Sequence, residues 1–243
     1  MMKLSKFIKN KNHLDRHNVI VIDKPGNEVI SESFNRLKDN ILFFNADNNI
    51  KVIQISSSTA CEGKTTVISN LAVTLAKNGL KVLLVEGDLR SPRVHRPFNL
   101  DCENGVYDYI LQNKQLKDII KHTTYGVDVI SRGDKIENPS AAIASQKFKD
   151  LIISAREIYD YVLIDCPPVL EISDYIHISA CADGTIFCVA YGVTKKHNVK
   201  EAIELLKQRN INILGSVYTM VNNAHAKAYG NNRYNGYYYH NEE

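Results

Sequence analysis

The sequence lacks several features, and each absence argues against a class of protein. No apolar run reaches the ~20 residues that a membrane-spanning helix needs, so we expect no direct membrane span. The five cysteines are an odd number without a CxxC pair, which argues against a disulfide framework and favours reduced thiols. The eight histidines show no metal-ligand spacing, so we expect no structural metal. The formal net charge of +3 is too small to indicate a nucleic-acid partner.

Composition divides the chain into three parts. Residues 1–27 contain several lysines but no apolar signal segment, so we expect a solvated extension rather than a secretory leader; contact with an anionic surface is the alternative. Residues 28–221 have the length and apolar content of one α/β domain. Residues 222–243 are rich in Asn, Gly and Tyr and contain no Val, Leu or Ile, which predicts a flexible tail.

Apolar runs of strand length alternate with helical patterns across the middle part. Strands are predicted at 51–56, 82–85, 161–164, 185–190 and within 211–221, and helices at 29–44, 64–78 and 172–181. The helix at 29–44 carries its apolar face at Phe34, Leu37, Ile41 and Phe44. Two further helices are marked by apolar faces at Phe148, Leu151, Ala155 and Ile158, and at Val199, Ile203 and Leu206. For residues 91–144, the sequence predicts only short secondary-structure elements. This alternation favours a mostly parallel central sheet with helices on both faces.

A phosphate-binding loop joins the first predicted strand to the helix that follows it. The segment STACEGKT ends in the GKT of a P-loop, although Ser58 stands where the full pattern has glycine. Backbone N–H groups and the helix N-terminus would bind the phosphates, Lys64 would reach the β- and γ-phosphates, and Thr65 would ligate Mg²⁺. We therefore predict an α/β fold of the P-loop NTPase type that binds ATP and Mg²⁺. The expected binding residues are Ser58, Thr59, Ala60, Cys61, Glu62, Gly63, Lys64, Thr65 and Thr66.

Two further motifs place acids at the ends of strands. VLLVEGDLRSP carries Glu86 and Asp88 after one strand, and YVLIDCPP carries Asp165 after another. In an open parallel sheet, ligands bind beyond the carboxyl ends of the strands. All three motifs are therefore expected at one edge of the sheet.

These motifs, in this order, resemble the Walker A, A′ and B set of the bacterial tyrosine kinases of capsule and exopolysaccharide systems. ESFNRLKDNI, at 32–41, is similar to that family's ExxRxxR helix, and the closing tyrosines are similar to its autophosphorylation cluster. The resemblance implies a protein-tyrosine kinase with Lys64, Glu86, Asp88 and Asp165 as catalytic residues. It implies Thr65, Asp88 and Asp165 as metal ligands, and Glu86 as the group that orients or deprotonates the phenol. The implied phosphoacceptors are Tyr229, Tyr234, Tyr237, Tyr238 and Tyr239.

The same resemblance implies partners and location. The family's cytoplasmic kinase is activated by the cytoplasmic tip of a membrane adaptor of the polysaccharide export system, so we expect recruitment to the inner face of the membrane. The ExxRxxR helix implies a homo-oligomer that could close into a ring, but Asn35 and Lys38 replace its arginines. Cys61 stands where a loop glycine is usual, and Glu86 where aspartate is usual.

Two rival interpretations stay open at this point. One is a MinD/ParA-like ATPase, but those proteins carry a signature lysine where this chain has Thr59. The other is a module that binds nucleotide without transferring phosphate, which the changes at Cys61 and Glu86 would permit.

Overall fold

The computed structural model describes residues 20–22, 24–45, 48–135 and 137–221. Most of the predicted N-terminal extension and the whole predicted tail lie outside these residues. The division into three parts therefore stays a prediction.

A seven-stranded sheet forms the centre of the described chain, in the order β3-β4-β2-β5-β1-β6-β7. The strands are β1 (Val52–Ser57), β2 (Val82–Glu86), β3 (Lys121–His122), β4 (Val127–Ile130), β5 (Tyr161–Asp165), β6 (Gly184–Ala190) and β7 (Ile213–Thr219). All neighbouring strands pair in parallel except β3 and β4, which are antiparallel. The helices are α1 (Glu28–Asn45), α2 (Lys64–Lys77), α3 (Val106–Gln112), α4 (Leu116–Ile119), α5 (Pro139–Ala144), α6 (Gln146–Ile158), α7 (Asp174–Ser179) and α8 (Lys196–Gln208).

Two apolar cores lie on the two faces of this sheet. One core packs the strands against α1 and α2 and includes Ile41 and Leu71. The other includes Phe148 of α6 and Leu206 of α8. The central strands β1, β2 and β5 are buried at every position, which explains the apolar runs of β2 and β5 up to their final acid. The predicted α/β fold, with a mostly parallel sheet covered by helices on both faces, is confirmed.

Two predicted apolar helix faces end earlier than expected. Ile41 is buried in α1, but Phe44 in the last turn is 44% exposed. Ile158, the last residue of α6, is 53% exposed. The buried position passes to Tyr159, whose hydroxyl donates to Asp128 Oδ2 at 2.6 Å. The prediction for Ile158 was wrong because the helix stops there.

Residues 91–144 contain a strand that the sequence did not reveal. β4 extends the sheet beside β2, from Val82 opposite Val127 to Val85 opposite Ile130. Its four residues are too few for alternation to identify them as a strand.

All five cysteines are free thiols, as predicted. Burial raises the pKa of Cys166 and raises that of Cys188 to about 12, so both stay protonated. Cys61 is exposed. Within the described ranges, no helix combines the length and the apolar character needed to cross a bilayer.

Candidate nucleotide and phosphoryl-transfer site

Three of the predicted motifs meet at one edge of the sheet. β5 lies between β2 and β1, so the carboxyl ends of the three parallel strands emerge together. Asp165, the last residue of β5, is in register with Glu86 on one side and with Ile55 on the other. The phosphate loop follows β1 directly, and α2 begins at Lys64. The convergence expected of an open parallel sheet is therefore present.

The phosphate loop enters α2 through backbone that favours glycine. Gly63 precedes the helix with φ 85°, and no side chain caps the helix N-terminus. Since the first N–H groups of a helix have no partner within it, they are suited to bind an anion. Cys61 adopts φ 61°, a left-handed conformation that costs a non-glycine residue free energy. This is the position where the family pattern has glycine.

The buried side chain of Glu62 accepts hydrogen bonds from other residues of the phosphate loop. It is 2% exposed, and its Oε1 accepts from Ser58 Oγ at 2.6 Å and from the backbone N and Oγ1 of Thr59, each at 2.8 Å. Its Oε2 is buried without a hydrogen-bond partner among the described residues. Thr59 thus holds the loop at the position where partitioning ATPases carry their signature lysine.

The loop's functional side chains reach towards β5. Lys64 is 9% exposed, and its Nζ donates to Ser57 Oγ at 3.2 Å. Thr65 Oγ1 donates to Asp165 Oδ2 at 2.7 Å. Burial raises the pKa of Asp165 to about 6, against the opposing effects of the Lys64 charge and the Thr65 hydrogen bond.

The chemistry of these groups fits a magnesium ion. Asp165 Oδ1 is buried and has no hydrogen-bond partner in the described part of the chain, so this carboxylate has an unused acceptor. No group of three His, Cys, Asp or Glu side chains suited to a metal is found within the described residues. Mg²⁺ does not need one, because it is usually held by one or two carboxylates together with substrate phosphates and water. Thr65 and Asp165 are the groups best placed for it.

The loop after β2 is folded around Glu86. This side chain is fully buried, its Oε1 accepts from the N–H of Asp88 at 3.2 Å, and its Oε2 accepts from Arg93 at 2.6 Å and from Val94 at 3.1 Å. Burial, followed by repulsion from Asp165, raises the pKa of Glu86 well above its ordinary value. The structure brings Glu86 to the site but keeps it below the surface.

Asp88 and Arg90 of the same loop point to different neighbours. Asp88 is half-buried, its Oδ1 accepts from Ser91 N at 3.0 Å, and its charge contributes to raising the pKa of Asp165. Arg90 donates through Nη2 to Ser140 Oγ at 2.8 Å, and its Nε lies 3.7 Å from Asp174 Oδ2. Asp88 is therefore the acid of this motif that solvent can reach.

Two further residues hold the phosphate loop, and the sequence did not single them out. Glu171 Oε1 accepts from the N–H of Ala60 at 2.7 Å. Thr219 Oγ1 donates to the Glu62 carbonyl at 2.8 Å, and a Cβ on Gly63 would lie 3.2 Å from the Thr219 side chain. Neither contact has a local sequence signal, because both partners are more than 100 residues from the loop. The predicted phosphoacceptor tyrosines lie outside the described residues.

The chain is similar to bacterial tyrosine kinases and, at a lower TM-score, to MinD. An AAA domain family model matches residues 50–213. The tyrosine-protein kinase YwqD of Bacillus subtilis is 32% identical over 210 residues, which cover 86% of this chain and 88% of the relative. The solved kinase domain of the Escherichia coli tyrosine kinase ETK is 28% identical, has a TM-score of 0.78 and covers 90% of this chain and 88% of that domain. The septum site-determining protein MinD of Pyrococcus horikoshii, complexed with Mg-ADP, is 25% identical, has a TM-score of 0.60 and covers 73% of this chain and 76% of that one.

The kinase resemblance is the stronger of the two. The relative YwqD matches over most of both chains, and the ETK domain superposes better than MinD does. The partitioning-ATPase alternative is therefore not favoured, and the resemblance drawn from the three motifs is confirmed: the chain belongs to the bacterial tyrosine-protein kinases.

Proposed function

We propose that this chain transfers the γ-phosphoryl group of Mg-ATP to tyrosine side chains within a capsule or exopolysaccharide system. One observation carries the proposal: Lys64, Thr65 and Asp165 lie together at the end of β1 and β5, with Asp88 and Glu86 on the adjacent strand end. Phosphoryl transfer requires mainly positioning and charge neutralisation, which these groups can supply.

The roles follow from the contacts. Lys64 and the N–H groups at the start of α2 bind the β- and γ-phosphates, assisted by the loop from Ser58 to Thr66. Thr65, Asp165 and Asp88 would hold Mg²⁺, directly or through water. When bound, the ion would neutralise phosphate charge and orient the γ-phosphate. The hydrogen bond from Thr65 to Asp165 holds these two oxygen donors side by side.

Glu86 was predicted to orient or deprotonate the phenol, and that role stays a prediction. Its two oxygens accept three backbone N–H groups, and its side chain is 0% exposed. These contacts favour a role in shaping the loop that carries Asp88. Asp88 is the more accessible acid for a tyrosine hydroxyl, because the residue is only half-buried.

The activity can be tested with the full chain, γ-labelled ATP and Mg²⁺. We expect phosphotyrosine to form, and to be lost on chelation of Mg²⁺ and in Lys64→Met, which keeps the length of the side chain but removes its charge. Label that forms equally in Lys64→Met would contradict the assignment of this loop. Protein that binds Mg-ATP and transfers nothing would instead be the nucleotide-binding module.

We propose that the main acceptors are Tyr229, Tyr234, Tyr237, Tyr238 and Tyr239. Replacing all five by phenylalanine should abolish most phosphotyrosine. Tyr125, Tyr191 and Tyr218 provide a matched control, because they are 39%, 40% and 66% exposed and belong to the folded domain. Their replacement by phenylalanine should leave labelling unchanged. If the tail variant labels as strongly as the wild type, the acceptors lie elsewhere.

We also propose a cytoplasmic location, recruitment to the inner face of the membrane by the cytoplasmic tip of an export-system adaptor, and assembly of copies through α1. The chemistry of α1 supports weaker assembly than the family's arginines would give, because Lys38 Nζ is already bonded to Asn78 Oδ1 at 3.1 Å. The purified chain should label slowly alone and faster with the adaptor's cytoplasmic segment. Equal rates with and without that segment would remove the adaptor from the proposal.

A further inference from the structure

Arg93 is fixed beside the reaction centre by its own backbone. Its N–H donates to Glu86 Oε2 at 2.6 Å, and the next residue, Val94, donates to the same oxygen at 3.1 Å. Val94 is fully buried in the core, which anchors the segment. Because Glu86 is in register with Asp165, the backbone of Arg93 is held next to the strand ends that carry the acids.

The Arg93 guanidinium has no acidic partner within the described ranges. The side chain is half-buried, yet none of the ion pairs there includes it, and no hydrogen bond of its side chain is found there. Its charge does act on Asp165, since it opposes the rise in the pKa of that carboxyl. A partly desolvated cation without a partner favours the arrival of an anion.

Of the other two cations of the site, Arg90 already has an acidic partner, and Lys64 is assigned to the β- and γ-phosphates. Arg90, the arginine of the A′ motif, contacts Ser140 and the buried carboxylate of Asp174. Lys64 donates to Ser57 and belongs to the phosphate loop. Among the described residues at this edge, Arg93 is therefore the cation that has neither a side-chain partner nor a role in the proposed function.

We propose that Arg93 is a further catalytic residue, whose guanidinium contacts the transferring phosphoryl group. The inference rests on the proposed kinase activity. In the step, the phenol oxygen forms a bond to the γ-phosphorus while the bond from that phosphorus to the β,γ-bridging oxygen breaks. ADP leaves with the electron pair, and the phenol proton passes to a carboxylate or to water. Arg93 stays protonated and neutralises the charge on the oxygens of the transferring group.

Arg93→Ala keeps the backbone N–H that donates to Glu86, so the loop after β2 should retain its fold. Arg96→Ala is the matched control, because Arg96 lies three residues on and has an exposed side chain. We expect Arg93→Ala to slow single-turnover transfer about 100-fold, with less than about threefold change in affinity for Mg-ADP. Arg93→Lys should recover only part of the rate, since ammonium lacks the planar fork. Added guanidinium ion should partly rescue Arg93→Ala and leave Arg96→Ala unchanged.

A second readout needs no transfer at all. Aluminium fluoride with Mg-ADP mimics the transferring group, and Arg93→Ala should weaken aluminium-fluoride-dependent binding at least tenfold while Arg96→Ala does not. The inference is overturned if both variants behave like the wild type, or if lost Mg-ADP affinity accounts for the whole rate loss. If the wild type transfers no phosphate, the proposed function fails, and the aluminium fluoride measurement still decides for or against Arg93. If Arg93→Ala does not fold, Arg93→Lys supplies the same comparison.

Discussion

The two loops that form the site are each folded around a buried glutamate, but in different ways. In the phosphate loop, one oxygen of Glu62 accepts all three hydrogen bonds, and the other oxygen has no partner within the described chain. In the loop after β2, both oxygens of Glu86 accept, and every donor is a backbone N–H. The fold of the loop after β2 therefore needs both carboxylate oxygens of its glutamate, whereas the phosphate loop uses only one.

The difference shows where a carboxylate is indispensable. A glutamine at position 62 could present its carbonyl oxygen to the three donors and put its amide in place of the unpartnered oxygen. A glutamine at position 86 must turn an NH₂ group towards at least one backbone N–H. The loop after β2 should therefore be the more fragile of the two, and the following predictions test that contrast.

The largest effect is expected for Glu86→Gln. Since one or two buried N–H groups lose their acceptor, the free energy of unfolding should fall by about 2–3 kcal/mol. Phosphotransfer should fall as well, because the loop carries Asp88. Urea unfolding followed by circular dichroism measures the first effect. Unchanged stability would mean that Glu86 does not organise the loop.

A pH effect should arise at Asp165, which lies between the two loops. Its pKa is about 6 in the folded chain against an ordinary value of 3.8, so between these values the folded state holds a proton that the unfolded chain releases. Without Mg²⁺, stability should therefore fall by about 1–3 kcal/mol as pH rises from about 4 to about 6. Melting temperatures measured in EDTA would show this fall, and Asp165→Asn should reduce it. A wild type and variant with parallel pH profiles would contradict the assignment.

A smaller effect is expected for Thr219→Val, which removes the hydrogen bond to the Glu62 carbonyl but keeps the contact with Gly63. We expect a loss of about 1 kcal/mol in stability. The affinity for Mg-ATP should also weaken, since the phosphate loop loses a hydrogen bond that holds it in place. Calorimetric titration with Mg-ATP measures this affinity. Comparison with Thr219→Ser, which keeps the hydroxyl, would separate the effect of the hydrogen bond from that of the packing.

The smallest effect is expected for Glu62→Gln. Its stability should stay within about 0.5 kcal/mol of the wild type, because a neutral amide can replace a carboxylate that uses only one oxygen. The same unfolding measurement made on Glu86→Gln gives the comparison directly. If Glu62→Gln is the more damaging change, the contrast between the loops is reversed.

The sequence revealed the site's local signals and missed its distant contacts. The GKT run, the strand-end acids and the apolar strands are patterns within ten residues, so Lys64, Asp88 and Asp165 could be placed at one edge. The burial of Glu86 could not be predicted, because the N–H groups that enclose it belong to residues 88, 93 and 94 in an irregular loop. Glu171 and Thr219 act on the phosphate loop from distant segments, and only the folded sheet brings them there.

A kinase at this site transfers phosphate to tyrosine, whereas an ATPase transfers it to water. Single-turnover reaction of the full chain with γ-labelled ATP and Mg²⁺ distinguishes the two directly, by following how the label divides between protein tyrosine and free phosphate. We expect most of the consumed label to appear on tyrosine, and Lys64→Met to consume none. Label that appears only as free phosphate, with no phosphotyrosine even when the adaptor segment is present, would contradict the kinase function.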